Sequence, residues 1–193
     1  LSLDGDLLAS EPIKGTRPRA EDPEEDRRLA EELAADEKDR AENIMIADLM
    51  RNDLAKVCGD GSIREEAICA LRSLPHVHHL YSRIEGRLKD GLGFTEALSA
   101  AFPCGSITGA PKLAAMKVIA DLEGEGRGPY CGTIFMRTRN VGVASVAIRT
   151  AVLDHDEKTL QVRSGGGVTI LSDPAAEYDE ADAKSYLFKS LIT

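Results

Sequence analysis

Lys14 stands in the basic run Pro12-Ile13-Lys14-Gly15-Thr16-Arg17-Pro18-Arg19. Taken alone, the run reads as a surface anion-binding turn or as plain structure. Glu42 lies in a second charged stretch, Asp36-Glu37-Lys38-Asp39-Arg40-Ala41-Glu42-Asn43, which leads into Asp48 and Arg51-Asn52-Asp53. Its periodicity is that of an amphipathic helix with a solvated face. Glu177 and Glu180 are three apart on a predicted helix and share a face. Two carboxylates so placed repel unless they are solvated, paired or joined by a cation. The run Cys104-Gly105-Ser106-Ile107-Thr108-Gly109-Ala110-Pro111-Lys112 lacks the spacing of a Walker loop. It does set glycines and hydroxyls before a helix N-terminus, whose amides can bind an anion. His78 and His79 fall on a predicted strand, where a histidine is more often structural than catalytic. Arg149, on another predicted strand, precedes a triple glycine, Gly165 to Gly167.

The elements that must position these groups are partly legible. Asp22 suits a helix cap, with Pro23 in the first turn and Glu25 at the capping-box position. The pattern from Glu24 to Arg51 predicts one long helix. His76 to Leu88 alternates between turn signals and predicts a strand. Phe94 to Phe102 predicts a helix, Cys104 onward a polar loop, and Pro111 to Glu123 another helix. Tyr130–Thr138, Val143–Leu153 and Thr159–Ser164 predict an antiparallel meander. Asp173-Pro174 opens a last helix. This order points to an α+β class.

Composition narrows the function. The chain has 193 residues, 24 Lys plus Arg, 33 Asp plus Glu and a net charge of −9. Such an acidic chain is a poor general binder of nucleic acid. An anionic substrate needs a local cationic or metal site. The four cysteines fit no C-x-x-C pattern and read as free thiols in a reducing compartment. No apolar run approaches the ~20 residues of a membrane span, and the N-terminus is unlike a targeting segment. A cytoplasmic protein that binds neither nucleic acid nor membrane is expected.

The six stretches, in their order, resemble the chorismate-utilising superfamily, which includes anthranilate, aminodeoxychorismate, isochorismate and salicylate synthases. Within it, Lys before Gly-Thr is similar to the aminating subunits of aminodeoxychorismate synthases, where anthranilate and isochorismate synthases have Ala. The resemblance implies an α/β sandwich of two antiparallel sheets with outer helices, like component I of anthranilate synthase. Residues 1–193 would form the C-terminal part of its catalytic domain, inactive when isolated. The resemblance implies replacement of the C4 hydroxyl of chorismate by ammonia, toward para-aminobenzoate and folate. Lys14 would be the nucleophile, and His79 would assist the leaving group. Glu42 and Glu180 would hold Mg²⁺, with Glu177 reaching it through water. Thr16, Gly105, Ser106, Thr108, Lys112 and Lys184 would bind substrate, the Gly105 to Lys112 box taking the ring carboxylate. Arg149 and the amides of Gly165, Gly166 and Gly167 would take the enolpyruvyl carboxylate. A glutamine amidotransferase would supply ammonia. Cys104 departs from the family's usual glycine. The alternatives are an anthranilate or isochorismate synthase, against which Lys14 argues, and a non-catalytic fragment of the same scaffold.

Overall fold

The computed structural model describes residues 1–170 and 172–189. It divides into two compact units, Leu1–Leu122 with Phe135–Ala144, and Glu123–Ile134 with Ser145–Thr193. Strands and helices alternate irregularly along the chain, as the α+β reading expects. The order begins β1 (Ser2–Asp4), β2 (Leu7–Ser10), β3 (Ile13–Pro18), α1 (Pro23–Ala35), α2 (Glu37–Ala55), β4 (Arg64–Ser73) and β5 (Val77–Arg87). It continues through α3 (Phe94–Ala101), α4 (Gly105–Thr108), α5 (Lys112–Glu123), β6 (Thr133–Arg137) and β7 (Val141–Val146). It ends with β8 (Thr150–Asp154), β9 (Thr159–Arg163) and α6 (Pro174–Lys189). Among the described residues no helix is long and apolar enough to cross a membrane.

The larger sheet has seven strands in the order β3-β5-β2-β1-β7-β6, with β4 also paired to β5. Strand β5 is its hub. Its residues alternate strictly, burying His78, Leu80, Ser82, Ile84 and Gly86 on one face. Helix α2 covers that face. The core between them gathers Leu3, Leu8, Ile46, Met50, Leu54, Ile84 and Phe94. Each such side chain contributes about 1.5–3 kcal/mol through removal from water.

Several elements match the sequence reading. Asp22 accepts the Glu25 N–H at 3.0 Å and Pro23 opens α1. Asp173 accepts the Ala176 N–H at 2.9 Å and Pro174 opens α6. The single helix from Glu24 to Arg51 is corrected. The chain breaks at Asp36, whose ψ of 112° leaves the helical region. Its carboxylate accepts the Asp39 N–H at 2.9 Å and caps a second helix. Asp favours such a cap over a helix interior because its short side chain competes for backbone donors. The predicted strand Val143–Leu153 is also two. β7 ends at Val146 and β8 starts at Thr150, with Arg149 between them at φ 49°. The expected three-strand meander is thereby cut. β8 and β9 form their own two-stranded antiparallel sheet.

The basic run read as a loop is a strand with an extra residue. Ile13 pairs with Tyr81 and Thr16 with His79, so Lys14 and Gly15 together oppose Leu80. This is a β-bulge, which bends a strand and re-aims its side chains. Gly15 has φ 86°, a conformation that side chains resist. A Cβ there would also lie 2.9 Å from Asp39 Cγ and from Leu33 Cδ1. Gly5, at φ 60°, has nothing within 4 Å of such a Cβ. Gly15→Ala is therefore expected to lower stability by about 1–3 kcal/mol. Gly5→Ala should cost roughly 1 kcal/mol, from backbone strain alone. Urea midpoints of the two variants measure the difference, and equal losses would dismiss the crowding at Gly15.

Candidate functional site

In the first unit, the bulge carries Lys14 toward α2. Its Nζ lies 3.6 Å from Glu42 Oε2, in the second turn of that helix, and the two side chains are only 22% and 16% exposed. Thr16 and His79, cross-strand partners, are joined by a 2.9 Å hydrogen bond between Oγ1 and Nδ1. Lys14, Thr16, Glu42 and His79 thus come from three elements that the bulged strand holds together.

The neighbouring cations of the run are engaged elsewhere. Arg17 forks onto Asp39 (3.2 Å) and Asp36 (3.0 Å) at the junction of α1 and α2. Arg19 meets both oxygens of Asp26 at 2.7 Å. The Arg19 guanidinium, the Ala20 N–H and His78 hold the Asp26 carboxyl well below the usual carboxylate range. His78 is buried, with Nε2 3.0 Å from Asp26 and Nδ1 2.8 Å from Ser73. Its Nδ1 thus closes the β4–β5 hairpin and its Nε2 ties that hairpin to α1. The two adjacent histidines therefore have different settings, His78 in a structural network and His79 against Thr16.

The Gly105 to Lys112 box folds into one helical turn, α4, and the start of α5. Gly105 is buried against Leu49. The Thr108 hydroxyl donates to the Cys104 carbonyl at 3.3 Å, and Ser106 Oγ lies 3.3 Å from Cys104 Sγ. Lys112 Nζ sits 2.6 Å from Asp53 Oδ2. Asp53 is 1% exposed and also takes Lys56 at 2.7 Å. A buried carboxylate needs such counter-charge. Lys112, expected at the substrate, thus has a structural partner that sequence did not reveal.

The second unit brings together another set. Glu177, Glu180 and Lys184 follow the i, i+3, i+7 spacing of one face of α6. Lys184 Nζ is 2.5 Å from Glu180 Oε1 and 3.3 Å from the Gly165 carbonyl. Ser172 donates to Glu177 Oε1 at 2.6 Å. A Cβ on Gly166 would lie 2.9 Å from Glu177 Oε2, and one on Gly165 would lie 2.8 Å from the Tyr130 hydroxyl. Gly165 and Gly166 thus bring backbone close to the tips of Tyr130 and Glu177. Arg149 is exposed, and no protein group pairs with it among the described residues. Tyr130 is the residue the sequence reading passed over. It stands at the start of the predicted strand Tyr130–Thr138, with nothing to set it apart, whereas the strand itself begins at Thr133, and only its approach to Gly165 marks it. Burial, followed by its neighbour Cys131, pushes its phenol up to about 12.

Two surface cavities accompany these groups. One, of about 670 Å³ in the first unit, is lined by Met45, Asp48, Leu49, Asn52 and Glu65 among others. The other, of about 480 Å³ in the second, is lined by Arg127, Tyr130, Arg163, Tyr178 and Asp182 among others. Neither lining includes a predicted site residue. Among the described residues, no group of three or more His, Cys, Asp or Glu is placed to hold a metal ion. The expected ligands are divided, Glu42 in one unit and Glu177 and Glu180 in the other. Their donor set consists of carboxylate oxygens alone, which fits a hard divalent cation and not a soft one. All four cysteines are free, as expected.

Comparison with known proteins follows the same lines. The profile of the chorismate binding enzyme family matches residues 1–190. The chain is 44% identical over 186 residues to anthranilate synthase component 1 of Streptomyces coelicolor, covering 96% of this chain and 36% of that protein. It is also 44% identical over 181 residues to aminodeoxychorismate synthase component 1 of Salmonella typhimurium, covering 93% of this chain and 39% of that protein. It therefore spans less than half the length of these relatives. The crystal structure of anthranilate synthase component I from Streptococcus pneumoniae superposes with a TM-score of 0.81 at 32% identity, over 95% of this chain and 40% of that one. The menaquinone-specific isochorismate synthase of Escherichia coli gives the same TM-score of 0.81 at 23% identity, over 100% of this chain and 44% of that one, a likeness of fold alone. The profile match over nearly every residue decides the matter: this chain belongs to the chorismate binding enzyme family.

Proposed function

We propose that the chain is the catalytic C-terminal part of a synthase that replaces the C4 hydroxyl of chorismate with an amino group. The observation that carries this reading is Lys14, turned by the β3 bulge toward Glu42 at 3.6 Å. The bulge aims the amine at the candidate site, where a lysine can act as the nucleophile of covalent catalysis. The Lys14 amine bonds to C2 of the ring, both ring double bonds shift to C1–C6 and C4–C5, and the C4–oxygen bond breaks. The hydroxyl leaves as water with the proton that Lys14 gives up. Ammonia then bonds to C4, both double bonds shift back, and the C2–nitrogen bond to Lys14 breaks, the lysine nitrogen regaining the proton that ammonia loses. His79, its Nδ1 engaged by Thr16, keeps Nε2 for the leaving hydroxyl. Arg149 forks onto the enolpyruvyl carboxylate, and the amides of Gly165 to Gly167 complete that grip. Glu42 and Glu180 would be ligands of Mg²⁺, with Glu177, on the same helix as Glu180, reaching it through water; the ion when bound supplies a hard positive charge to the ring carboxylate. Ammonia would come from a glutamine amidotransferase subunit, in keeping with the component 1 names of the relatives.

A second reading has its own support. The Streptomyces coelicolor relative, named an anthranilate synthase component, is as similar as the Salmonella typhimurium one, at 44% identity. Amination at C2 rather than C4, followed by loss of pyruvate, would then be the reaction. Product analysis with chorismate, ammonia and Mg²⁺ separates aminodeoxychorismate from anthranilate.

Two outcomes test the first reading in the whole protein. With ammonia withheld, mass spectrometry should find a chorismate-derived adduct on the Lys14 peptide, and Lys14→Ala should abolish it. Absence of the adduct, together with full aminating activity in Lys14→Arg, would reduce Lys14 to a fixed charge. Arg149→Lys should raise KM for chorismate about 10- to 100-fold, as expected when hydrogen bonds to a charged group worth about 1.5–3 kcal/mol are lost. An unchanged KM would remove Arg149 from the substrate.

A further inference from the structure

Two bulges face each other across β5. On one side, Lys14 and Gly15 of β3 oppose Leu80. On the other, Ile68 and Cys69 of β4 oppose Ser82, and Cys69 sits at φ 49°. Each bulge interrupts the hydrogen-bond ladder. Backbone groups left over in a buried place must find other partners. Here side chains provide them. The Cys69 N–H donates to Ser82 Oγ at 3.0 Å. The Leu80 carbonyl accepts from Asn43 Nδ2 at 3.2 Å. The Ser82 hydroxyl donates to Asn43 Oδ1 and closes the chain of bonds. Asn43, Leu80 and Ser82 are all fully buried.

Asn43 belongs to α2 and directly follows Glu42. One amide therefore joins the helix that carries Glu42 to the strand flanked by the Lys14 bulge. A slide of α2 by one residue would shift its side chains about 1.5 Å and turn them about 100°. Such a slide would break the Asn43 bonds to Leu80 and Ser82 and take Glu42 away from Lys14.

We propose that Asn43 is a positioning residue for the candidate site, locking α2 to β5 so that the Glu42 carboxylate stands opposite Lys14. This rests on the reading of Glu42 as a metal ligand given above. Residues that orient a ligand commonly change metal affinity about 10- to 100-fold when lost. A merely structural role would give Asn43 no more influence on metal than any core residue has.

The test uses the whole protein and Mn²⁺ as the probe, with affinity read from the electron paramagnetic resonance of the free ion. Asn43→Leu keeps the branched outline, with more bulk, and leaves Leu80 and Ser82 without their partner. It should weaken Mn²⁺ binding at least tenfold. Leu8→Ala, a core change on β2 that removes none of these hydrogen bonds, should leave Mn²⁺ affinity within twofold despite its lower melting temperature. If Asn43→Leu binds Mn²⁺ like the parent while Glu42→Gln does not, the positioning role is wrong and the ligand reading stands. If Glu42→Gln also binds like the parent, the ligand reading falls and this proposal falls with it. If Leu8→Ala weakens binding as much as Asn43→Leu, the effect is general destabilisation and the proposal is overturned.

Discussion

One residue too many in β3 sets the geometry of the first unit. A regular strand alternates its side chains between two faces. Tyr81 and His79 share a face of β5, and their partners Ile13 and Thr16 must share it too. Three positions separate Ile13 from Thr16, where regular alternation would place two. The surplus is taken up at Lys14 and Gly15, and Lys14 emerges toward the helix-covered side. The surroundings are shaped to this kink. Leu33 and Asp39 close over Gly15, leaving no room for a side chain. Arg17, two residues on, ties the strand to the acids at the α1–α2 junction. The break at Asp36 belongs to the same arrangement, because it lets two helices present carboxylates to one arginine.

Charge is distributed with the same economy. In an acidic chain, most cations of the motifs are matched by protein carboxylates. Lys14 has Glu42, Lys112 has Asp53 and Lys184 has Glu180. Arg127 is held by Glu123 and Arg163 by Glu125. Arg149 differs, with no such partner among the described residues. A guanidinium left to solvent is already free to meet an anion. A paired lysine must first exchange one counter-charge for another. The two kinds of cation therefore answer differently to an incoming carboxylate.

The parts of the fold legible in sequence were those with strong local chemistry. Asp22-Pro23 and Asp173-Pro174 announced helix starts, because a cap and a fixed φ act within one turn. β5 announced itself by alternation, because one of its faces is wholly buried. The parts that stayed hidden depend on distant partners. β4 exposes most of its residues, so its hydrophobic pattern is faint, and the Cys69 bulge breaks what remains. Asp36 sits among other acids, where a cap looks like one more solvated charge. The Lys14 run contains two prolines and a glycine, which suggest a loop until β5 is there to pair with it. For the candidate site, motif order found the family and most of the residues brought together. It could not find the Lys14–Glu42 pair, the attachment of Lys112 to Asp53, or Tyr130. Each of these joins segments far apart in the chain.

The bulge makes its steric demand on Gly15 rather than on Lys14. The glycine alone has the required φ and the missing Cβ, whereas position 14 only supplies a direction. The side chain in that slot can be exchanged while the backbone around it stays as it is. A scaffold built this way is open to divergence. Selection can try a new reactive group at one codon without first rebuilding the sheet, so related chemistries can descend from a common frame by very short mutational paths.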